Sequence, residues 1–288
     1  KYMKIIKYFF EFLIIKLLII IFYIIGFKLA SNLGGIIGRL VGPLFRSKKN
    51  ILSNINKAMP ELDKKNTELI IKRMWENYGR ILSEYLFIKD FRNSKLENFI
   101  EVEGQEILNK LKQSGEPVIF ISGHFNNFEL MAMQIEKSGI NLAAIYRPLN
   151  NIFLNKIMEG IRKKYICKKQ IKKGRKGTRE LLEFFKKNYS IALMIDQRVS
   201  EGIKSNFFNE PALTTTIPAQ LVKKFGCKVV PIYIERKNNF YFKIKINNPI
   251  TYNKESTTEE ITLDLNKWLE KMILLNPNQW IWSHDRWK

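Results

Sequence analysis

Beyond residue 100 the sequence alternates short apolar, β-branched runs with stretches of helical periodicity. That alternation restricts the chain to an α/β sheet with helices on its faces. Residues 117–121 (Pro-Val-Ile-Phe-Ile) form a buried strand that ends at Ser122-Gly123-His124, and helical spacing follows through Leu130, Met133 and Ile135. Residues 141–146 and 190–195 read as further strands, with helices over 149–164 and 178–187 between them. A long polar loop is expected up to Thr216, then a helix over 217–225, strands over 227–235 and 240–246, and a final helix over 262–274. Upstream, residues 47–92 read as helical, with Ile70, Met74, Tyr78, Ile81 and Leu82 at helical spacing. Gly34, Gly35, Gly38, Gly42 and Pro43 punctuate what reads as a joining segment.

Residues 5–27 are almost wholly apolar, interrupted by Lys7, Glu11 and Lys16. The stretch approaches bilayer-spanning length, although Lys16 near its middle is energetically unfavourable there. Lys7 and Glu11 stand four apart and can pair on a helix. A buried core helix and a signal peptide are the competing readings. The second is disfavoured because no small-residue cleavage site follows before Ala30-Ser31. The preferred reading is a membrane anchor over residues 1–30, spanning the bilayer or lying at its interface, followed by one domain over 31–288. Lys28, Arg39, Arg46, Lys48 and Lys49 follow the anchor and suit a cytoplasmic surface facing anionic lipid.

The 49 Lys and Arg against 27 Asp and Glu leave a formal charge of +22, which attracts anionic lipid, phosphorylated substrates, acidic proteins or nucleic acid. A codon bias towards Lys, Asn and Ile accounts for a substantial share of the charge, so charge alone chooses no partner. Nucleic acid is disfavoured, because no RNA-binding aromatic motif or helix-turn-helix signature accompanies the charge. Cys167 and Cys227 lie far apart, without metal-ligand spacing. That argues against a disulfide framework or a zinc site and fits a reducing compartment. No metal or cofactor is expected.

The chain has two histidines, His124 and His284, so any histidine chemistry uses one of them. His124 follows a buried strand and precedes a helix, whose N-terminal amides disfavour imidazolium and keep the ring able to accept a proton. Glu129, five residues on, is placed to accept the other ring N–H and fix the tautomer.

The segment Gly123-His124-Phe125-Asn126-Asn127-Phe128-Glu129 resembles the His, four residues, Asp-or-Glu signature of the lysophospholipid acyltransferase superfamily. Four more motifs occur in the order of its lipid A late acyltransferase branch. They are Tyr146-Arg147-Pro148-Leu149-Asn150-Asn151; Asp196-Gln197 through Gly202 to Phe207-Phe208-Asn209-Glu210-Pro211-Ala212; Val229-Val230-Pro231; and Asn276-Pro277-Asn278-Gln279-Trp280-Ile281-Trp282 with Arg286-Trp287. Asn126, Phe128 and Asn209 replace the branch's usual Gly, Trp and Gly; asparagine at turn positions tolerates unusual backbone angles.

The resemblance implies a glycerol-3-phosphate acyltransferase-like fold, a mixed central sheet flanked by helices. It also implies acyl transfer from acyl carrier protein or acyl-coenzyme A to a hydroxyl of a glycolipid, a lipid A precursor, at the cytoplasmic face of a bacterial inner membrane. His124 would be the general base and Glu129 its orienting partner. Arg147, Asn127, Asp196 and Gln197 are the substrate-binding candidates. Arg147 would stabilise an oxyanion or hold a phosphate; Asp196 and Gln197 would support the site or cap a strand end. Acylation of a lysophospholipid, an ornithine lipid or a phosphatidylinositol mannoside stays open, as do a hydrolase of the same geometry and a non-catalytic basic membrane-binding protein. The basic run over 162–176 docks an acidic carrier, grips anionic headgroups or forms a solvated face. The tryptophans 268, 280, 282 and 287 are expected mostly to pack the core.

Overall fold

The computed structural model describes residues 2–93 and 95–288. An apolar helix α1 (Tyr2–Ile25) turns at Gly26 (φ 79°) into α2 (Phe27–Val41), and α3 (Lys48–Ala58), α4 (Lys64–Glu84) and the short α5 (Ile88–Arg92) complete a helical N-terminal part. Strand β1 (Ile100–Glu103), α6 (Gln105–Ser114), β2 (Ile119–Ser122), α7 (Glu129–Lys137), β3 (Leu142–Tyr146) and α8 (Ile152–Ile161) follow. Then come β4 (Lys169–Lys172), α9 (Arg175–Lys186), β5 (Ser190–Met194), a hairpin of β6 (Ile203–Phe207) and β7 (Glu210–Thr214), and α10 (Ile217–Phe225). The chain closes with β8 (Val229–Lys237), β9 (Tyr241–Ile246) and α11 (Thr258–Leu275).

Seven strands form the mixed sheet that the sequence alternation implies, in the order β1-β9-β8-β2-β5-β3-β4. Every pairing is parallel except β8 with β9. All four residues of β2 are buried, as a central strand covered on both faces requires. Strand β4 was not expected. It lies at an edge, where its exposed Lys169 and Lys172 discourage further strand pairing and also disguise it in the sequence.

The expected loop before Thr216 contains the β6–β7 hairpin. Phe207 pairs with Glu210 across the two-residue turn Phe208-Asn209, and both turn residues have positive φ (53° and 59°). That is the backbone of a type I′ turn, which matches strand twist, and Asn209 supplies the tolerance expected of it.

The glycine-punctuated segment is a helix rather than a joiner. Along α2 the small residues Ser31, Gly34, Gly35 and Gly38 face α4, where Gly79 opposes two of the glycines. A Cβ on Gly79 would stand 1.9 Å from the Gly34 carbonyl oxygen, and one on Gly38 would stand 2.4 Å from the Trp75 carbonyl oxygen. Tight backbone contact offsets the poor helix propensity of glycine, which is why local sequence does not announce this helix. It also runs through the domain boundary expected at residue 30.

Helix α1 contains a predominantly apolar stretch, Met3–Ile25, of mean hydropathy 2.5, whose most apolar 18-residue window is only 6% buried against the rest of the protein. Its 23 residues extend about 35 Å as a helix, enough to cross a hydrocarbon core of about 30 Å. Lys7 and Glu11 pair on it at 3.9 Å. On one side α1 rests against α8. Phe9 and Phe12 pack on Phe153 with ring centroids 5.8 and 5.7 Å apart, and Asn151 donates to the Tyr8 carbonyl at 2.9 Å and to Glu11 Oε2 at 3.2 Å.

Candidate active site

Strands β2 and β5 are parallel neighbours with Ser122 opposite Met194. Two residues past each strand end, His124 and Asp196 therefore emerge side by side at the carboxyl edge of the sheet, where α/β folds build their sites. The pair is doubly joined: His124 Nδ1 lies 2.8 Å from Asp196 Oδ1, and the His124 backbone N–H donates to Asp196 Oδ2 at 2.7 Å. Trp280 Nε1 donates to the same Oδ2 at 2.9 Å. Asp196 is fully buried. Burial alone would raise its pKa, but the His124 ring and backbone N–H and the Trp280 N–H together hold it below the ordinary carboxylate value. An ionised Asp196 accepts from Nδ1, so the ring proton resides there and Nε2 keeps its lone pair. Among the described residues nothing bonds Nε2, and the His124 side chain is 23% exposed.

The ring is thus held by Asp196 where the sequence reading expects Glu129. Helix α7 begins only at Glu129, and residues 125–128 form an irregular turn, so His124 does not stand at a helix N-terminus. The dipole reason for a neutral ring does not carry over; the carboxylate on Nδ1 sets the tautomer instead. Phe128 packs edge-on against the imidazole with centroids 4.9 Å apart. Asn126 adopts φ 42°, the angle for which asparagine suits this turn. Gln279 accepts from its backbone N–H at 3.0 Å and from its side-chain amide at 2.8 Å.

Glu129 instead pairs with Arg162, which lies just past the end of α8 and donates to Glu129 Oε1 through both Nε and Nη2. The guanidinium also lies over the Tyr146 ring, 5.4 Å from its centroid. Its Nη1 is buried with no hydrogen-bond partner among the described residues. Such a group is disfavoured in a finished interior. Sequence reasoning missed Arg162 because it sits in a basic run whose next members, Lys163 and Lys164, are exposed as solvated residues should be. Tyr85, beside this pair, has its pKa pushed up by burial and then by the Glu129 charge.

The other expected site residues separate. Asn127 is fully buried and donates to Glu84 Oε2 at 3.4 Å, which places it beneath the site rather than on its surface; its Oδ1 lacks a partner among the described residues. Arg147 is exposed just past β3, with no hydrogen bond or ion pair among the described residues. Gln197 is half-buried next to Asp196. His284 has its Nε2 occupied by the Arg198 backbone N–H at 3.1 Å, and burial lowers its pKa, so His124 is the histidine with a free basic nitrogen. Trp280 and Trp282 are buried, as the packing reading expects, while Trp268 and Trp287 are half-buried.

Beneath the 125–128 turn, Arg236 pairs with fully buried Glu84 through two nitrogens, at 2.5 and 2.9 Å, and donates to Asn126 Oδ1 at 3.0 Å. Glu84 also accepts from Ser31 Oγ of α2 at 2.6 Å. One buried carboxylate therefore joins α2, α4, β8 and the turn that carries His124.

Known proteins of similar sequence act in lipid A biosynthesis. The chain is 23% identical over 261 residues to the lipid A biosynthesis palmitoleoyltransferase of Escherichia coli, covering 89% of this chain and 84% of that one. It is 23% identical over 274 residues to the E. coli lauroyltransferase (92% and 86% covered) and 21% over 252 residues to the myristoyltransferase (85% and 77%). Among solved structures, the 1-acyl-sn-glycerophosphate acyltransferase of Thermotoga maritima aligns with TM-score 0.42 at 15% identity, over 86% of this chain and 98% of that one. The profile of bacterial lipid A biosynthesis acyltransferases matches residues 1–288, and the chain belongs to that family of acyltransferases.

Proposed function

We propose that this acyltransferase moves a fatty acyl chain from a thioester, carried by acyl carrier protein or coenzyme A, to a hydroxyl of a lipid A precursor, with His124 Nε2 as the general base. The observation that carries the reading is the asymmetry of the imidazole: Nδ1 is tied to a buried carboxylate while Nε2 is free and partly exposed. Nε2 takes the proton of the acceptor hydroxyl as its oxygen attacks the thioester carbonyl. The resulting imidazolium is stabilised by Asp196, and the ring's geometry is fixed by Asp196, Trp280 and the edge of Phe128. When the tetrahedral adduct collapses, the carbon–sulfur bond breaks and the thiolate takes up the proton.

Arg162 is the group best suited to an anionic oxygen. Glu129 fixes its orientation through two N–H donors and leaves the buried Nη1 for substrate. In this reading Glu129 acts through Arg162, and Arg147, exposed past β3, meets the phosphate of donor or acceptor. Helix α1 anchors the enzyme in the bacterial inner membrane with the catalytic domain on the cytoplasmic side, where the basic residues after α1 face anionic lipid.

The test is a membrane assay with defined acyl thioesters and lipid A precursors, read by mass spectrometry. Wild type is expected to add one acyl chain to the precursor, and His124→Ala is expected to lose that product. Full activity of His124→Ala, or no transfer by wild type to any glycolipid, would overturn the reading.

A further inference from the structure

Helix α2 has two contrasting faces. One, built of small residues, is locked onto α4. The other carries Leu29, Leu33, Ile36 and Leu40, spaced four, three and four residues apart, and every one is exposed. That spacing draws a single apolar stripe along the helix. Leu44 and Phe45 extend it beyond the helix end at 81% and 75% exposure, among the largest values for any apolar side chain here. An exposed apolar patch that runs along α2 from Leu29 to Leu40 and on to Phe45 marks a contact surface.

Two observations identify what covers it. The stripe begins at Leu29, three residues after the Gly26 elbow, so it continues from α1, whose most apolar 18-residue window is only 6% buried. At its far end lies a cavity of about 310 Å³ floored by Ile51, Ile71 and Trp75 and rimmed by Arg39, Arg46, Lys48 and Lys72. Glu68 is the one carboxylate in that lining, and it reaches Lys48 only at 3.9 Å. Apolar side chains next to a ring of unneutralised cations match the acyl region and headgroups of an anionic bilayer.

We infer that α2 and the Leu44–Phe45 tip form a second bilayer contact, with the tip in the acyl region and anionic headgroups held by the four basic residues. The catalytic domain then rests on the membrane along an edge instead of hanging from α1 alone. This rests on α1 occupying the bilayer but not on the chemistry proposed for His124.

Site-directed labelling of the full-length chain tests it. Single cysteines replace Phe45, Ile14 on α1 and Glu255, which is exposed in the loop before α11, each in a separate protein carrying an environment-sensitive fluorophore. The native Cys167 and Cys227 are buried. Each protein is reconstituted into vesicles of phosphatidylcholine containing phosphatidylglycerol and brominated lipid. The label at position 45 is expected to be quenched like that at 14, and the label at 255 to be unaffected. Arg46→Glu with Lys72→Glu is expected to lower the docked fraction roughly fivefold per residue, and removal of phosphatidylglycerol to act in the same direction. Quenching at 14 without quenching at 45 would sink the inference and leave the anchor standing; absence of both would sink the two together. Protection at 45 that depends on protein concentration and not on lipid would assign the stripe to a second copy of the chain and also overturn it. Equal docking on neutral vesicles would remove the headgroup role of the four cations.

Discussion

The pairing of His124 with Asp196 makes Asp196→Asn a discriminating change. Oδ2 accepts two N–H donors, from the His124 backbone and from Trp280, so the amide oxygen of asparagine must take that position. Its NH2 group then faces His124 Nδ1, 2.8 Å away in the native pair, and donates to it. Nδ1 becomes an acceptor and the proton moves to Nε2, leaving the ring without a basic nitrogen for the acceptor hydroxyl. The variant also removes the charge that stabilises the imidazolium. At an effective dielectric of about 20, unit charges 2.8 Å apart attract by roughly 6 kcal/mol, which bounds the loss at about 10⁴-fold in rate. The same substitution in the serine-protease triad lowers kcat by about 10⁴, so a fall of about 10³ to 10⁴ is expected here. The assay is single-turnover acyl transfer to a lipid A precursor in detergent micelles, with circular dichroism to verify folding. A folded Asp196→Asn enzyme within about tenfold of wild-type kcat would refute the idea that Asp196 sets the tautomer.

Two further outcomes follow from the packing and the titrations. Gly79→Ala places a methyl 1.9 Å from the Gly34 carbonyl oxygen, so α2 must lift from α4; a loss of about 1 to 3 kcal/mol is expected, read as a lower thermal midpoint. His284 has its pKa lowered by burial from the ordinary 6.5, so the unfolded chain binds a proton there before the folded one does. Stability from this group is present above pH 6.5 and is lost as pH falls towards the folded value. The thermal midpoint of wild type should therefore drop between pH 7 and pH 5, and His284→Gln should flatten part of that slope when the two are melted side by side.

Strand positions were readable because buried parallel strands need continuous β-branched runs, as Ile119 to Ile121 and Val229 to Ile234 supply. Helix α2 was not, because its stability lies in glycines pressed on a second helix, and glycine read locally signals a turn. The β6–β7 hairpin was hidden by the polar residues of β6 and by a Phe-Asn turn in place of Asn-Gly. His124 was legible from its strand-end position. Its partner was not, since the natural search runs along the chain to Glu129, whereas sheet register brings Asp196 from 72 residues away. Arg162 was lost among neighbouring lysines, and only its burial and its bond to Glu129 distinguish it.

The two acid–base pairs answer different mechanical requirements. His124 and Asp196 leave adjacent strands of one sheet, so their spacing is fixed by backbone register and needs no support from the helical N-terminal part. Glu129 and Arg162 join α7 to the end of α8, and α8 leans on α1 through Phe153 and Asn151. The turn between His124 and Glu129 is held from below by Arg236 on Asn126 and by Glu84 on Asn127. Glu84 is fully buried, and an uncompensated carboxylate there would be destabilising by several kcal/mol, so Arg236 and Ser31 must stay in place. Ser31 belongs to the same α2 face that the glycines seat on α4. The contacts that hold α2 against the domain thus also hold the floor of the turn that follows His124. The helix with the exposed apolar stripe is accordingly built into the candidate site rather than appended to it.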